Sequence, residues 1–135
     1  WRYKSTNYTI INRLTSFIGT FQRGIFTYDL NEHKVMHIPS GLMDVSINCI
    51  RAYNNNEILI ATDGAGVYKM NTDTYESIPY IVADYNRYNS MNGNTINDIY
   101  IDSEQRIWMA NYPIGYNCTQ QPTCRLSMDK TLYRQ

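Results

Sequence analysis

The chain has almost no imbalance of charge: twelve Lys and Arg offset twelve Asp and Glu among 135 residues. Without a net field, nothing draws it over long range to nucleic acid or to an anionic lipid surface. It has no apolar run approaching the ~20 residues that span a bilayer. No basic-then-apolar leader precedes Trp1, so the expectation is either a cytosolic chain or one that starts inside a longer, processed protein. Cysteine is scarce and odd in number. Cys49 lies in an apolar run and reads as a buried free thiol, and the spacing of Cys118 and Cys124 fits neither a zinc site nor a disulfide framework. No apolar period of 3.6 residues persists over several turns, which argues against helices. A Ser-His-Asp order, a phosphate-cradling glycine loop and a Cys-His pair are also missing, and no cofactor is expected.

What is present is a segment that recurs. Phe17-Ile18-Gly19-Thr20 precedes Gly24-Ile25-Phe26, and Leu59-Ile60-Ala61-Thr62 precedes Gly66-Val67-Tyr68. Trp108-Met109-Ala110-Asn111 precedes Gly115-Tyr116. The copies are offset by 42 residues (17 to 59) and then 49 (59 to 108). A period of ~40–50 residues built from short strands signals a β-propeller. Ile47–Ala52 and Ile96–Ile101 supply a strand before each of the last two copies, linked by turns rich in Asn and Asp. Those residues tolerate the left-handed backbone of tight hairpins. A third strand follows each glycine (Ile25 to Tyr28; Val67 to Met70), and polar turns lead to a fourth (Lys34 to Ile38; Tyr75 to Tyr80).

The fold expected is therefore all-β, a single partial propeller of about two and a half to three four-stranded antiparallel blades. Its repeats fall at about 5–44, 45–93 and 94–115, with an irregular segment at 116–135. Phe17, Leu59 and Trp108 are expected to be buried between blades. A closed propeller needs at least ~4 blades, so the chain is a fragment of a larger propeller or closes against other copies. The apolar ends predict a homo-oligomer, most simply a dimer approximating a six-bladed ring.

These residues resemble the two-component-regulator propeller repeat. The resemblance rests on Asp102 to Gly115, with Ile107, Trp108, Met109, Ala110 and Asn111, on Asn54 to Met70 and on Ser16 to Asp29. Two positions depart: Gln105 stands where the family prefers glycine, and Tyr53 replaces the aspartate. The resemblance covers roughly Ser5 to Gly115. It implies the periplasmic sensor region of a hybrid two-component system, non-enzymatic itself, with an oligosaccharide as ligand. A structural or protein-interaction propeller, or a carbohydrate-active one, are the other readings.

For ligand contacts the insertion Ala83–Asn94, which lengthens the second repeat, is the first choice. Tyr85 and Tyr88 can stack on pyranose faces while Arg87 and the asparagines bond hydroxyls. Arg23 and Asp63, in the loops between second and third strands, are secondary candidates. His33 and His37 are spaced like a helical zinc pair but fall on a hairpin, where four residues span ~13 Å, so no metal site is expected. Asp98 and Asp102 could be read as a catalytic carboxylate pair, but Asp102 occupies the turn position of the repeat and a structural role is preferred.

After Gly115 the pattern breaks: Tyr116 to Gln135 is polar where the family has an apolar third strand. Met128-Asp129 must be encoded ATG-GAY, so a frame shifted by one nucleotide contains a tryptophan codon. One codon choice in that frame continues Gly115 as Gly-Ile-Thr-Val. The tail is thus either a frameshifted segment or a divergent terminus.

Overall fold

The computed structural model describes residues 8–11, 14–84, 86, 91, 93–112 and 115–119. Among the described residues, eleven strands form three antiparallel sheets. The first is β1 (Tyr8–Ile11), β2 (Thr15–Gly19), β3 (Ile25–Asp29) and β4 (Lys34–Ile38) in sequential order. The second is β5 (Ile47–Ala52), β6 (Glu57–Thr62), β7 (Val67–Asn71) and β8 (Ser77–Ile81), again sequential. The third is β9 (Ile96–Ile101), β10 (Ile107–Asn111) and β11 (Tyr116–Thr119). The first strand β5 lies against β1 and β2 on one side and against β9 on the other. The sheets therefore fan outward from their first strands, which is the blade arrangement of a propeller.

Burial follows from that stacking. The middle sheet is covered on both faces, so Ile58, Leu59, Ile60, Ala61 and Thr62 of β6 are all buried in succession. One apolar cluster, with Phe17, Ile25, Ile50, Ile58 and Ile60, fills the space between the first and second sheets. A second, with Leu59, Val67, Ile96, Ile99 and Met109, fills the space between the second and third. The outer strand β4 is exposed until Ile38. Polar pins cross between the last two sheets: Asn48 Nδ2 donates to Ile96 O (2.9 Å) and Arg51 Nε to Ile99 O (3.1 Å). Arg51 Nη2 also meets Asp98 Oδ1 at 2.7 Å. Cys49 is the buried free thiol expected, donating to Asp98 Oδ1 at 3.2 Å. Burial first, and the hydrogen bond to Asp98 second, push its pKa up to about 12.

The repeated Thr or Asn of the motif has a repeated bond. Thr20 and Thr62 each donate both backbone N–H and Oγ1–H to a glycine carbonyl four residues on, at Gly24 and Gly66. Asn111 does the same through its N–H to Gly115 O. The turn asparagines and aspartates act differently from expectation. They accept backbone N–H groups in Asx turns, as Asp29 does from Asn31 and Glu32, and Asn71 from Asp73 and Thr74. The left-handed positions among non-glycines are instead Gln22, His33, Tyr75 and Gln105. Gln105, where the repeat prefers glycine, has φ 60°. The Gln105→Gly variant exchanges ~1–2 kcal/mol of left-handed strain for ~0.5–1 kcal/mol of extra chain entropy. A net gain of about 0.5 kcal/mol is expected in urea titration, and a loss would contradict the turn assignment.

Two expectations need correction. Residues 116–119 are not irregular: they form β11, paired in register with β10 from Ala110↔Tyr116 to Ile107↔Thr119. Their polarity is accommodated in part: Asn117 Nδ2 donates to Asn111 Oδ1 (2.7 Å) and Thr119 Oγ1 accepts the Ile107 N–H (3.1 Å), while the buried Asn117 Oδ1 has no hydrogen-bond partner. The first four residues of the tail thus belong to the third sheet, and residues 120–135 lie outside the described ones. The second correction is Trp108, which is partly buried rather than enclosed between blades. Phe17 and Leu59, at the equivalent positions, are 1% and 0% exposed because a following sheet covers each. Trp108 is on the far face of the last sheet.

Candidate functional site

Two sets of loops meet at one end of the arc. The described residues of the connections between second and third strands (20–24, 63–66, 112 and 115) sit beside those of the connections between successive sheets (39–46, 82–84 and 93–95). Backbone bonds knit them: Ile47 N to Thr20 O, Asp63 N to Ser46 O and Tyr112 N to Thr95 O, all within 2.9–3.0 Å. The last two are the same bond, 49 residues apart.

The residue after each motif Thr or Asn projects at this rim. These are Phe21, Asp63 and Tyr112, at the 42- and 49-residue offsets of the repeat. Phe21 is 63% and Tyr112 66% exposed, and Asp63 is exposed between them in chain order. Arg23 is exposed in the same loop as Phe21. The Asp63 carboxylate accepts Thr95 Oγ1–H at 3.1 Å, and the two residues form an isolated bridge. The rim thus brings Arg23 and Asp63 to one edge. Phe21 and Tyr112 were missed from sequence, although the offsets that align the glycines also align them.

The insertion opens from this rim and its stem is held closed. Asn94 Oδ1 accepts the Ala83 N–H (2.7 Å), joining the two ends of the insertion. The Asn94 carbonyl takes the N–H of Gly64 (3.1 Å) and of Gly66 (2.8 Å). Gly93 O accepts Asn111 Nδ2 at 3.1 Å. Met91 is buried in the second apolar cluster and anchors the insertion from beneath. Tyr85, Arg87 and Tyr88 lie outside the described residues.

The histidines and aspartates singled out in the sequence take up structural contacts. His33 and His37 are exposed; Tyr28 Oη meets His33 Nδ1 at 2.9 Å, and the His37 ring packs on the edge of Phe26. Among the described residues no three His, Cys, Asp or Glu side chains gather as a metal-binding group. Asp98 is engaged by Arg51 and Cys49 across the sheet interface. Asp102 organises the β9–β10 turn, accepting Glu104 N, Arg106 N, Arg106 Nε and Trp108 Nε1–H. Asp102 has both oxygens engaged by its turn, whereas Asp98 is held through Oδ1 alone and its side chain is 62% exposed.

The Trp108 indole, with the Arg106 guanidinium behind it, holds the Asp102 carboxyl well below the usual carboxylate range. The folded pKa lies under the unfolded value of ~3.9, so the stabilisation is complete above that value. It is lost as pH falls through the folded pKa. In a chain carrying Trp1→Phe, Trp108 emission is expected to stay constant down to about pH 4 and to change only in stronger acid. Asp102→Asn should abolish that transition, and a wild-type transition at pH 5 or above would refute the assignment.

Residues 90–112 match the family model described as Two component regulator propeller. Among solved structures, the extracellular domain of the hybrid two component system BT3049 from B. thetaiotaomicron is similar with a TM-score of 0.67 at 15% identity, covering 90% of this chain. The extracellular domain of the one component system BT4673 from the same organism is similar with a TM-score of 0.66 at 24% identity, covering 85%. The chain spans only 16% of the length of each of these structures. No curated protein sequence matches. The likeness in structure establishes the fold, all-β and propeller-type, and the sequence match places a two-component-regulator propeller repeat at 90–112.

Proposed function

We propose that this chain is a non-catalytic, ligand-sensing stretch of a two-component sensor propeller, working in the periplasm on an oligosaccharide. The observation that carries the reading is the rim. Two broadly exposed aromatic faces and a carboxylate occur at equivalent positions of three successive blades, beside a tethered polar insertion. Sugar rings offer apolar C–H faces that stack on aromatics and hydroxyls that bond carboxylates and amides. Arg23 and the insertion residues Tyr85, Arg87 and Tyr88 belong to the same proposed contact set. The repeat match and the likeness to extracellular domains of such systems support a sensor outside the cytoplasm.

Calorimetric titration of the whole chain with a panel of oligosaccharides tests this. Saturable binding is expected, weakened about fivefold by Phe21→Ala or Tyr112→Ala, as the loss of ~1 kcal/mol of stacking implies. Both side chains are exposed, so the variants should fold normally. A panel without binding, together with a reproducible protein partner, would favour an interaction propeller instead. Release of cleaved sugar would favour a carbohydrate-active one.

A further inference from the structure

The registers of the first two sheets match, so a position in one has its counterpart 42 residues on in the other. In the second sheet Glu57 and Lys69 stand on the face of Leu59, where period-two alternation places them. They form an ion pair, Lys69 Nζ to Glu57 Oε2 at 3.5 Å, and the ammonium lies 4.5 Å from the centre of the Tyr80 ring. Their counterparts on the face of Phe17 are Thr15 and Thr27, short and uncharged. A cleft of about 160 Å³ opens there, lined by both threonines, Asp29, Glu32, Lys34 and Met36 and by Tyr75 of the second sheet. Thr27 is buried, and its hydroxyl reaches Met36 O only at 3.4 Å. Tyr75 meets Phe17 edge-on, so the cleft ends against the apolar core.

Its charges are left unpaired. Asp29 and Lys34 are register partners across β3 and β4, on strands ~4.8 Å apart. Yet they form no ion pair with each other, although Glu57 and Lys69 do. Asp29 accepts the Asn31 and Glu32 N–H groups through Oδ1 alone, both at 2.8 Å, which leaves Oδ2 for a cation. We infer that this cleft binds a small zwitterionic α-amino acid, whose own ammonium and carboxylate take the place of the ion pair that the second sheet builds from side chains. The ammonium meets Asp29 Oδ2 with Glu32 beside it. The carboxylate meets Lys34 and the threonine hydroxyls, and a short side chain lies against Met36 and Tyr75. A dipeptide, at ~3.5 Å per residue, holds its terminal charges too far apart for neighbouring strands. The cleft is at the opposite ends of the strands from the rim, and the inference does not rest on the function proposed there.

Calorimetric titration of the complete chain with L-alanine near neutral pH tests this. Saturable binding is expected. N-acetyl-L-alanine and L-alaninamide, each lacking one of the two charges, should bind at least about tenfold more weakly, as the loss of a charge-assisted hydrogen bond implies. Thr15→Glu combined with Thr27→Lys copies the second sheet's pair into the cleft. It should abolish binding while the far-ultraviolet dichroism and the cooperative melt persist. Lys34→Gln, at an exposed position, should weaken L-alanine about tenfold and erase its advantage over L-alaninamide. Phe21→Ala, at the rim, should leave the affinity unchanged. The inference is overturned by an absence of saturable heat with L-alanine or by analogues that bind as well as L-alanine does. An unaltered affinity in either cleft variant overturns it too, as does a loss of binding in Phe21→Ala, which would put the amino acid at the rim.

Discussion

Phe17→Ala is expected to cost about 3–5 kcal/mol, the range for truncating a fully buried aromatic. Trp108→Ala should cost less than half as much, although the two residues hold the same position in the repeat. Phe17 is enclosed by Ile50, Ile58 and Ile60 of the next sheet and touches the Tyr75 ring edge-on, with centroids 6.3 Å apart. Trp108 forfeits instead a hydrogen bond to Asp102 (2.9 Å), a stacked Arg106 and part of its contact with Tyr116. Urea unfolding of both variants decides the matter. Equal losses would mean that the last sheet is as enclosed as the first.

Gly66→Ala should destabilise the chain by roughly 2–5 kcal/mol. The backbone there has φ +79°, which costs an L-residue ~1–2 kcal/mol, and overpacking adds ~1–3 kcal/mol. The added Cβ would stand 2.5 Å from the Ile81 carbonyl oxygen and 3.3 Å from Asn94 Oδ1. The first of these is backbone held in the β7–β8 pairing and cannot swing aside. Gly64 provides the internal control. It too has positive φ, but nothing lies within 4 Å of its Cβ position, so Gly64→Ala carries the conformational cost alone. Indistinguishable midpoints for the two variants would remove the clash from the explanation.

The repeat made most of the architecture legible, because two-sided burial forces long apolar runs and each reversal needs glycine or a short polar side chain. The runs at Ile47–Ala52, Leu59–Thr62 and Ile107–Asn111 therefore announced their strands. Polarity concealed β11: Asn117 and Thr119 pair with partners on the neighbouring strand, and that compensation leaves no trace in the local sequence. Trp108 misled for a different reason. Its residue type and register match those of Phe17 and Leu59, but burial depends on whether a further sheet follows, which no single repeat encodes. At the rim, Asp63 and Arg23 were legible as loop residues with useful chemistry. Phe21 and Tyr112 were overlooked because aromatic residues next to strands usually belong to the core, and only the shared offset marks them as projecting. Cys49 was read as buried from its apolar neighbours, while its bond to Asp98 depends on the stacking of sheets and could not be anticipated.

The hydrogen bond from Ala83 to Asn94 has an evolutionary consequence. It closes the base of the insertion on itself, so the twin glycines and Met91 experience the same stem whatever length of chain intervenes. Closure entropy grows only logarithmically, about 0.6 kcal/mol for each doubling of a flexible loop. Segments of different length and composition can therefore be exchanged above that stem at little thermodynamic cost. Selection can revise positions 84–90 while the blades beneath and the buried Met91 keep their sequence, and a library confined to those positions is the corresponding starting point for varying the rim.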